Sequence, residues 1–452
     1  MVKDLTTGNP LKLILYFSLP MVVGNLFQQF YNMADSVVVG QFLGVNALAA
    51  VGSTGSIDFL VLGFAMGACT GICIPVAQAF GAGDYKTMRR YVTNAVYIAA
   101  GIAFLITLGT MLLTRQILTL MNTPADIFED AYAYIIVVFA GTGALIFYNL
   151  LSGILRALGD SKTPLYFLII ASVLNIILDV IFVVPLRMGT AGAAYATVIG
   201  QAVSALLCLP YIRKRFPILR MEKGDWRPDG RLIRRMLGMG VPMGLQFSIT
   251  AIGSIILQTA VNSLGSGAVA SVTAGNKVSA LVTQPMEVIG LTMATYCGQN
   301  LGAGKIRRIH KGVRTATILG MSCAVGAFLI AALGGGAISR LFITGENVDG
   351  ILDQAQHFLR VLGAFYPMLT IVLVYRNTLQ GLGSSIPAMM AGLCELIGRS
   401  LVAFCLVGRF GFNAVCFASP AAWVIADVLL IAVYFAVMHR LDHQYPPRSG
   451  DE

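Results

Sequence analysis

Apolar stretches of about 20 residues or more recur along this chain between short breaks rich in glycine, proline or charge, and each can cross roughly 30 Å of hydrocarbon as a helix. They fall near residues 12–38, 48–78, 92–114, 131–157, 163–186 and 191–212, then near 236–263, 269–298, 313–337, 355–380, 387–408 and 412–438. The pattern predicts an all-α integral membrane protein with twelve transmembrane helices, since lipid demands that a spanning segment satisfy its own backbone groups. Composition agrees. With 57% hydrophobic residues, 12% charged residues and a mean hydropathy of +0.78, an ordinary soluble globule is excluded.

The pattern also repeats, at an offset near 221 to 224 residues. Leu19-Pro20-Met21 returns as Val241-Pro242-Met243, Leu43-Gly44 as Leu264-Gly265, and Gln78-Ala79-Phe80-Gly81-Ala82-Gly83 as Gln299-Asn300-Leu301-Gly302-Ala303-Gly304. Leu158-Gly159 with Pro164 matches Leu382-Gly383 with Pro387, and Met188-Gly189 matches Phe410-Gly411. Six spans fall in each copy. An even number of crossings gives both copies the same orientation, so the repeats are parallel, an organisation common among secondary transporters. The expected divisions are an N-terminal lobe over 1–212, a basic linker over 213–235, a C-terminal lobe over 236–438 and a tail over 439–452.

The net charge of +10 raises the question of nucleic acid, but the basic residues sort by membrane side. Most lie in the termini and the even-numbered loops, notably Lys86, Arg89 and Arg90, the linker from Arg213 to Arg235, and Lys305 to Arg314. About four (Arg115, Arg187, Arg340, Arg409) lie in the odd-numbered loops. The positive-inside rule then places both termini and the linker in the cytoplasm, with the linker anchored on an anionic leaflet and no nucleic-acid partner. The first apolar run lacks a small-residue cleavage signature and is expected to persist as a span. All eight cysteines fall within spans; Cys69 and Cys73, one turn apart, have no histidine near them and are read as small packing residues. The four histidines are assigned no role.

Ionisable residues inside hydrocarbon are costly and mark function by default. Asp35, Asp179 and Thr197 fall at comparable depths, on the order of 10 to 15 Å below the outer surface. Asn175 precedes Asp179 by four residues and shares its helix face. Two carboxylates, an amide and a hydroxyl at one level suit a small hard cation or a proton, because oxygen ligands favour hard ions and close carboxylates in poor solvent favour protonation of one. The repeat supplies a control: Asp35 maps onto Ile256 or Leu257, and Asp179 onto Leu401 or Val402. Helix–helix hydrogen bonding is the structural alternative for both acids.

Other buried charges have blander readings. Glu395 and Arg399 are spaced for an intrahelical pair; Arg376 and Lys277 are expected to snorkel toward the cytoplasmic and outer surfaces. Glu287 follows Pro285 in mid-span, where it could meet a cationic substrate. Asp58 and Asp427 are left unassigned. Pro20 and Pro242 sit at equivalent places in the first helix of each repeat and permit bending. No zinc motif, nucleophile elbow or catalytic aspartate pair supports an enzyme.

Twelve spans in two parallel halves, the segment Gln28-Gln29-Phe30-Tyr31-Asn32-Met33-Ala34-Asp35 and the repeated Gly-Ala-Gly resemble the multidrug and toxic compound extrusion (MATE) family over nearly the whole chain. The resemblance is to the branch with an acidic N-lobe site, which includes DinF-like members. It implies a cation site at Asp35, Asn175, Asp179 and Thr197, and a bending proline at Pro20. Members of the NorM-like branch use acids in spans seven and ten; this chain has none there, and span ten carries Arg376. The expected protein is a bacterial plasma-membrane antiporter, monomeric in the bilayer and without a cofactor. It exports amphipathic organic cations in exchange for Na⁺ or H⁺ by rocking of the lobes around a central V-shaped cavity. Candidate cavity residues are Gln28, Tyr31, Met33, Gln246, Met286 and Glu287, since aromatic and thioether groups accept varied cations. No metal other than Na⁺ is expected. A lipid-linked precursor flippase or a narrow-substrate exporter of the same superfamily is the alternative.

Overall fold

Apolar runs broken only by single prolines fold as helices of up to 37 residues, since in lipid a helix leaves no backbone group unpaired along its length. The computed structural model describes residues 4–121, 123–340 and 348–445. In chain order the helices are α1 (Pro10–Leu43), α2 (Val45–Gly81), α3 (Tyr85–Leu120), α4 (Phe128–Ala140), α5 (Thr142–Ala157), α6 (Lys162–Val183), α7 (Gly189–Arg215) and α8 (Gly230–Asn262). They continue as α9 (Ser266–Gly302), α10 (Ile306–Ser339), α11 (Val348–Ala364), α12 (Tyr366–Gly381), α13 (Ser385–Leu401), α14 (Val407–Phe410) and α15 (Phe412–Gln444). A π-helical turn, Val402–Leu406, joins α13 to α14. No strand occurs among the described residues.

Each of the twelve apolar runs coincides with helix. Nine stretches among the described residues are long and apolar enough to cross a membrane, with Ser385–Phe410 counted as one, and two bent pairs bring the number to 11. Those pairs are α4–α5, bent by 45°, and α11–α12, bent by 51°. The remaining run is α9, whose 37 residues include Asn276, Lys277, Gln284 and Glu287. The expected tail reaches only Tyr445 within the described residues.

The duplication is visible in the backbone. Gly44 and Gly265, Gly83 and Gly304, Gly159 and Gly383, and Gly189 and Gly411 all have φ between 58° and 96°. A side chain is strained in that region, so the same turns in both copies call for glycine.

Contacts group the chain into one unit comprising Leu19–Gly244 and another comprising Leu5–Ser18 with the residues from Leu245 onward. The grouping therefore changes inside α1 and inside α8. In the first unit, α2 packs on α3 and α5 through Cys69, Ile72, Cys73, Met88, Ala95 and Leu150, so both cysteines are core residues. The first part of α8 belongs here because glycines let backbones touch: a Cβ on Gly71 would lie 2.6 Å from Gly240 Cα. The linker is folded against α3. Arg89 Nε meets Asp225 at 2.9 Å, Arg90 meets Asp229 at 2.8 Å, and Tyr97 donates to the Trp226 carbonyl at 2.9 Å.

The repeated glutamine turns do the same work in each unit. Gln78 Oε1 accepts from Arg235 at 2.7 Å, holding the start of α8 in the first unit. Gln299 Oε1 accepts from Leu5 N at 2.9 Å in the second, where Asn300 donates to Leu5 O and Lys305 to Thr6 O. Each bond is worth about 1 kcal/mol net. Together they explain why residues 5–18 group with the second unit.

Candidate functional site

Three helices of the first unit deliver the expected oxygen ligands to one place. Asn175 and Asp179 lie one turn apart on α6, and both are buried. With its carbonyl toward α7, Asn175 accepts from Thr197 N at 3.1 Å and Thr197 Oγ1 at 3.2 Å, while its amide nitrogen donates to Asp179 Oδ2 at 3.3 Å. Asp35 of α1 lies within hydrogen-bonding reach of Asp179. Asp35, Asn175, Asp179 and Thr197 are thus gathered as neighbours.

The structure adds residues that the sequence left unassigned. Tyr134 of α4 lies within electrostatic reach of Asp58, Asp35, Tyr31 and Asp179. Asp58 of α2 is thus linked to the pair through Tyr134, although it does not act on Asp35 or Asp179 directly. Tyr31 bonds to Gln28 and feels Asp35, Asp179 and Tyr148. Oδ1 of Asp35, of Asp58 and of Asp179 is buried without a hydrogen-bond donor. Among the described residues, no arginine or lysine contributes to the surroundings of these three acids. Buried carboxylate oxygens without donors are costly in hydrocarbon, and oxygen ligands of this kind suit a small hard cation or a proton. Among the described residues, no group of three or more His, Cys, Asp or Glu is arranged to hold a metal ion.

The residues expected around substrate divide. Gln28 and Tyr31 are half-buried beside the carboxylates, and Met33 is 46% exposed on α1. Glu287 is half-buried on α9, accepting from Thr283 at 3.3 Å and Gln284 at 3.5 Å in its own helix. Gln246 and Met286 are buried inside the second unit. Gln246 accepts from Gln380 at 2.6 Å, and Met286 Sδ accepts from Thr370 at 3.2 Å, so both are engaged in packing. Pro20 and Pro242 lie inside α1 and α8. Arg376 corrects the expectation of snorkelling: it is buried and pairs with Glu395, which Arg399 also meets at 3.4 Å. A carboxylate 19 residues away, on the next helix, outweighs the pull of the nearby surface.

A duplicated, all-helical membrane chain that buries acids within its spans has the build of a secondary transporter. The chain belongs to the MatE family, whose model matches residues 20–181 and again 242–404, once in each repeat. It is 31% identical over 394 residues to the probable multidrug resistance protein YpnP of Bacillus subtilis (strain 168), covering 86% of each chain. Its fold matches a structure described as the outward-facing conformation of a multidrug resistance MATE family transporter of the MOP superfamily, with TM-score 0.91, 23% identity, and coverage of 97% of this chain and 98% of that one. It also matches a MOP superfamily transporter from Pyrococcus furiosus with TM-score 0.89, 23% identity and 97% coverage of both chains; that protein is described as having a binding pocket of reverse polarity that suggests a different function.

Proposed function

We propose that the protein is a plasma-membrane antiporter that exports amphipathic organic cations in exchange for H⁺ or Na⁺. The observation that carries this reading is the pair Asp35–Asp179, tied through Asn175 to Thr197 and left without a basic partner. One proton shared between two neighbouring carboxyl groups would relieve their repulsion, so H⁺ fits this pair as the exchanged ion. Na⁺ would use the same oxygens.

In this mechanism a cation reaching Asp35 and Asp179 from outside changes the packing of α1, bending at Pro20 reshapes the substrate surface, and bound drug leaves. Loss of the cation to the cytoplasm resets the cycle, with Pro242 allowing the corresponding bend in α8. The two repeats act as lobes in alternating access, and both termini face the cytoplasm. Gln28, Tyr31, Met33 and Glu287 supply aromatic, thioether and acidic contacts for an organic cation. Relatives named for multidrug resistance support this substrate class.

The test is ethidium efflux from pump-deficient bacteria expressing wild type or Asp35→Asn, with Na⁺ and pH gradients imposed separately. Efflux that follows one gradient and disappears in the variant is expected. Normal efflux by Asp35→Asn would remove the cation site. A broad dye panel left unmoved by well-expressed wild type would turn the reading to a narrow-substrate exporter or lipid-linked precursor flippase.

A further inference from the structure

The second unit buries a different set of charges on three helices. Glu395 of α13 is clasped by Arg376 of α12 and by Arg399, one turn further along α13 at 3.4 Å. Arg399 also donates to the Thr250 carbonyl at 3.5 Å. Asp427 of α15 lies in the field of Arg376 and Glu395, with Tyr375 of α12 beside it. Helices α11 and α14 also pack on α15, but among the described residues their charged groups do not act on Asp427.

Two groups in this set are unsatisfied. Asp427 is 4% exposed, and neither of its carboxylate oxygens meets a hydrogen-bond donor. Arg376 Nε is buried without an acceptor. An acceptor without a donor therefore lies within electrostatic reach of a donor without an acceptor. Glu395 leaves one positive charge of the two arginines unanswered, and an ionised Asp427 would answer it. A proton on Asp427 is the other way to relieve a bare carboxylate, since a buried charge without hydrogen bonds is costly. The two solutions exclude each other. Arg376 Nε–H bridges to an ionised Asp427, or Asp427 carries its own proton and Arg376 is left to Glu395.

We propose that Asp427 is a second proton-exchange site, where uptake of a proton from water alternates with an ion pair to Arg376. On uptake an O–H bond forms at Asp427 and the guanidinium keeps its charge; on release the proton returns to water and Arg376 turns to the carboxylate. The site lies in the repeat that has no counterpart of Asp35 or Asp179, and it stands whichever ion the first unit exchanges.

The test is infrared difference spectroscopy on the purified full-length protein in lipid, titrated from about pH 5 to about pH 9, a range that brackets carboxyl groups shifted by burial. Wild type is expected to show a protonated-carboxyl C=O band, marked by its downshift in D₂O, that grows as pH falls and is missing from Asp427→Asn. Arg376→Gln should move the appearance of that band to higher pH, because the cation favouring the ionised form is gone. Asp427→Glu should keep a titrating band at a changed frequency, which separates loss of the group from loss of the fold. If no band that depends on Asp427 changes over the range, the carboxyl is fixed in one state and the exchange site is overturned. A band that titrates identically in Arg376→Gln would overturn the alternation with arginine.

Discussion

Asp35 and Asp179 in the first unit and Glu395 in the second are acids in hydrocarbon under opposite conditions. In the first, Asp35 and Asp179 lie with two tyrosines, an amide and a hydroxyl, Asp58 is linked to them through Tyr134, and among the described residues no basic side chain contributes to their surroundings. In the second, Glu395 is held between Arg376 and Arg399. An acid clasped by arginine has its charge answered within the protein and is costly to disturb. One left without a base has no counter-charge within the protein, the condition that the proposed exchange of a cation would use. Duplication supplied two copies of one scaffold, and among the described residues the pair Asp35–Asp179 has no base beside it while Glu395 has two; Asp427 and Glu287 of the second unit stand outside that arginine clasp.

Substitutions that neutralise each acid should break that comparison in opposite directions. The largest effect expected is on transport: Asp35→Asn and Asp179→Asn should each reduce gradient-driven dye efflux to the level of cells lacking the protein. Their melting temperatures should hold or rise, since each removes an oxygen that has no donor. An Asp179→Asn protein that fails to fold would show that its acid is structural instead. Next in size is Glu395→Gln, which strands two buried guanidinium groups and should cost about 3–5 kcal/mol, read as lost monodisperse protein on size exclusion. Unchanged stability there would mean that the arginines find other acceptors.

A smaller effect tests the equivalence of the two copies. Gly44→Ala and Gly265→Ala each force a side chain into positive φ, with open space around the new Cβ. Each should cost about 1–2 kcal/mol from backbone strain alone, and by similar amounts. Thermal melts that separate the two clearly would show that the repeated turn no longer does the same work in both places.

The fold was legible because membrane burial writes itself locally. Twelve apolar runs and the repeated Gly44, Gly83, Gly159 and Gly189 can be read without knowing what touches what. Asn175 and Asp179 were legible for the same reason, four residues apart on one helix. The bends at α4–α5 and α11–α12 were not. A Cβ on Gly141, between α4 and α5, would lie 2.2 Å from Val198 on α7, a close approach that the apolar run does not record. Tyr134 and Asp58 were missed because their partners come from other helices. Arg376 was misread for that reason too: depth suggested the surface, whereas Glu395 on the neighbouring helix decides its direction. Gln246 and Met286, named for side chains that suit an organic cation, are buried against Gln380 and Thr370, partners on α12 that the sequence does not disclose.

The smallest effect concerns the linker, where the comparison can be sharpened with charges that are paired outside the membrane. Burial pulls the Asp225 carboxyl upward, but the Glu222 N–H and the Arg89 guanidinium outweigh it and hold Asp225 below its ordinary value. Asp229 is also held low, first by the Arg231 N–H, then by that of Leu232 and by the nearby arginines Arg90 and Arg231. A carboxyl lowered on docking stabilises the docked form fully above the undocked value of about 3.9. That contribution fades as pH falls below about 3.9 and is lost on passing through the lower docked value. Amide protection over residues 217–229, taken relative to the intrinsic exchange rate at each pH, should therefore be high at neutral pH and fall only in acid, while Asp225→Asn should lose protection already at neutral pH. The membrane helices should respond far less over the same range. Exchange in the linker that is fast at neutral pH in wild type would show that these ion pairs do not hold it on α3.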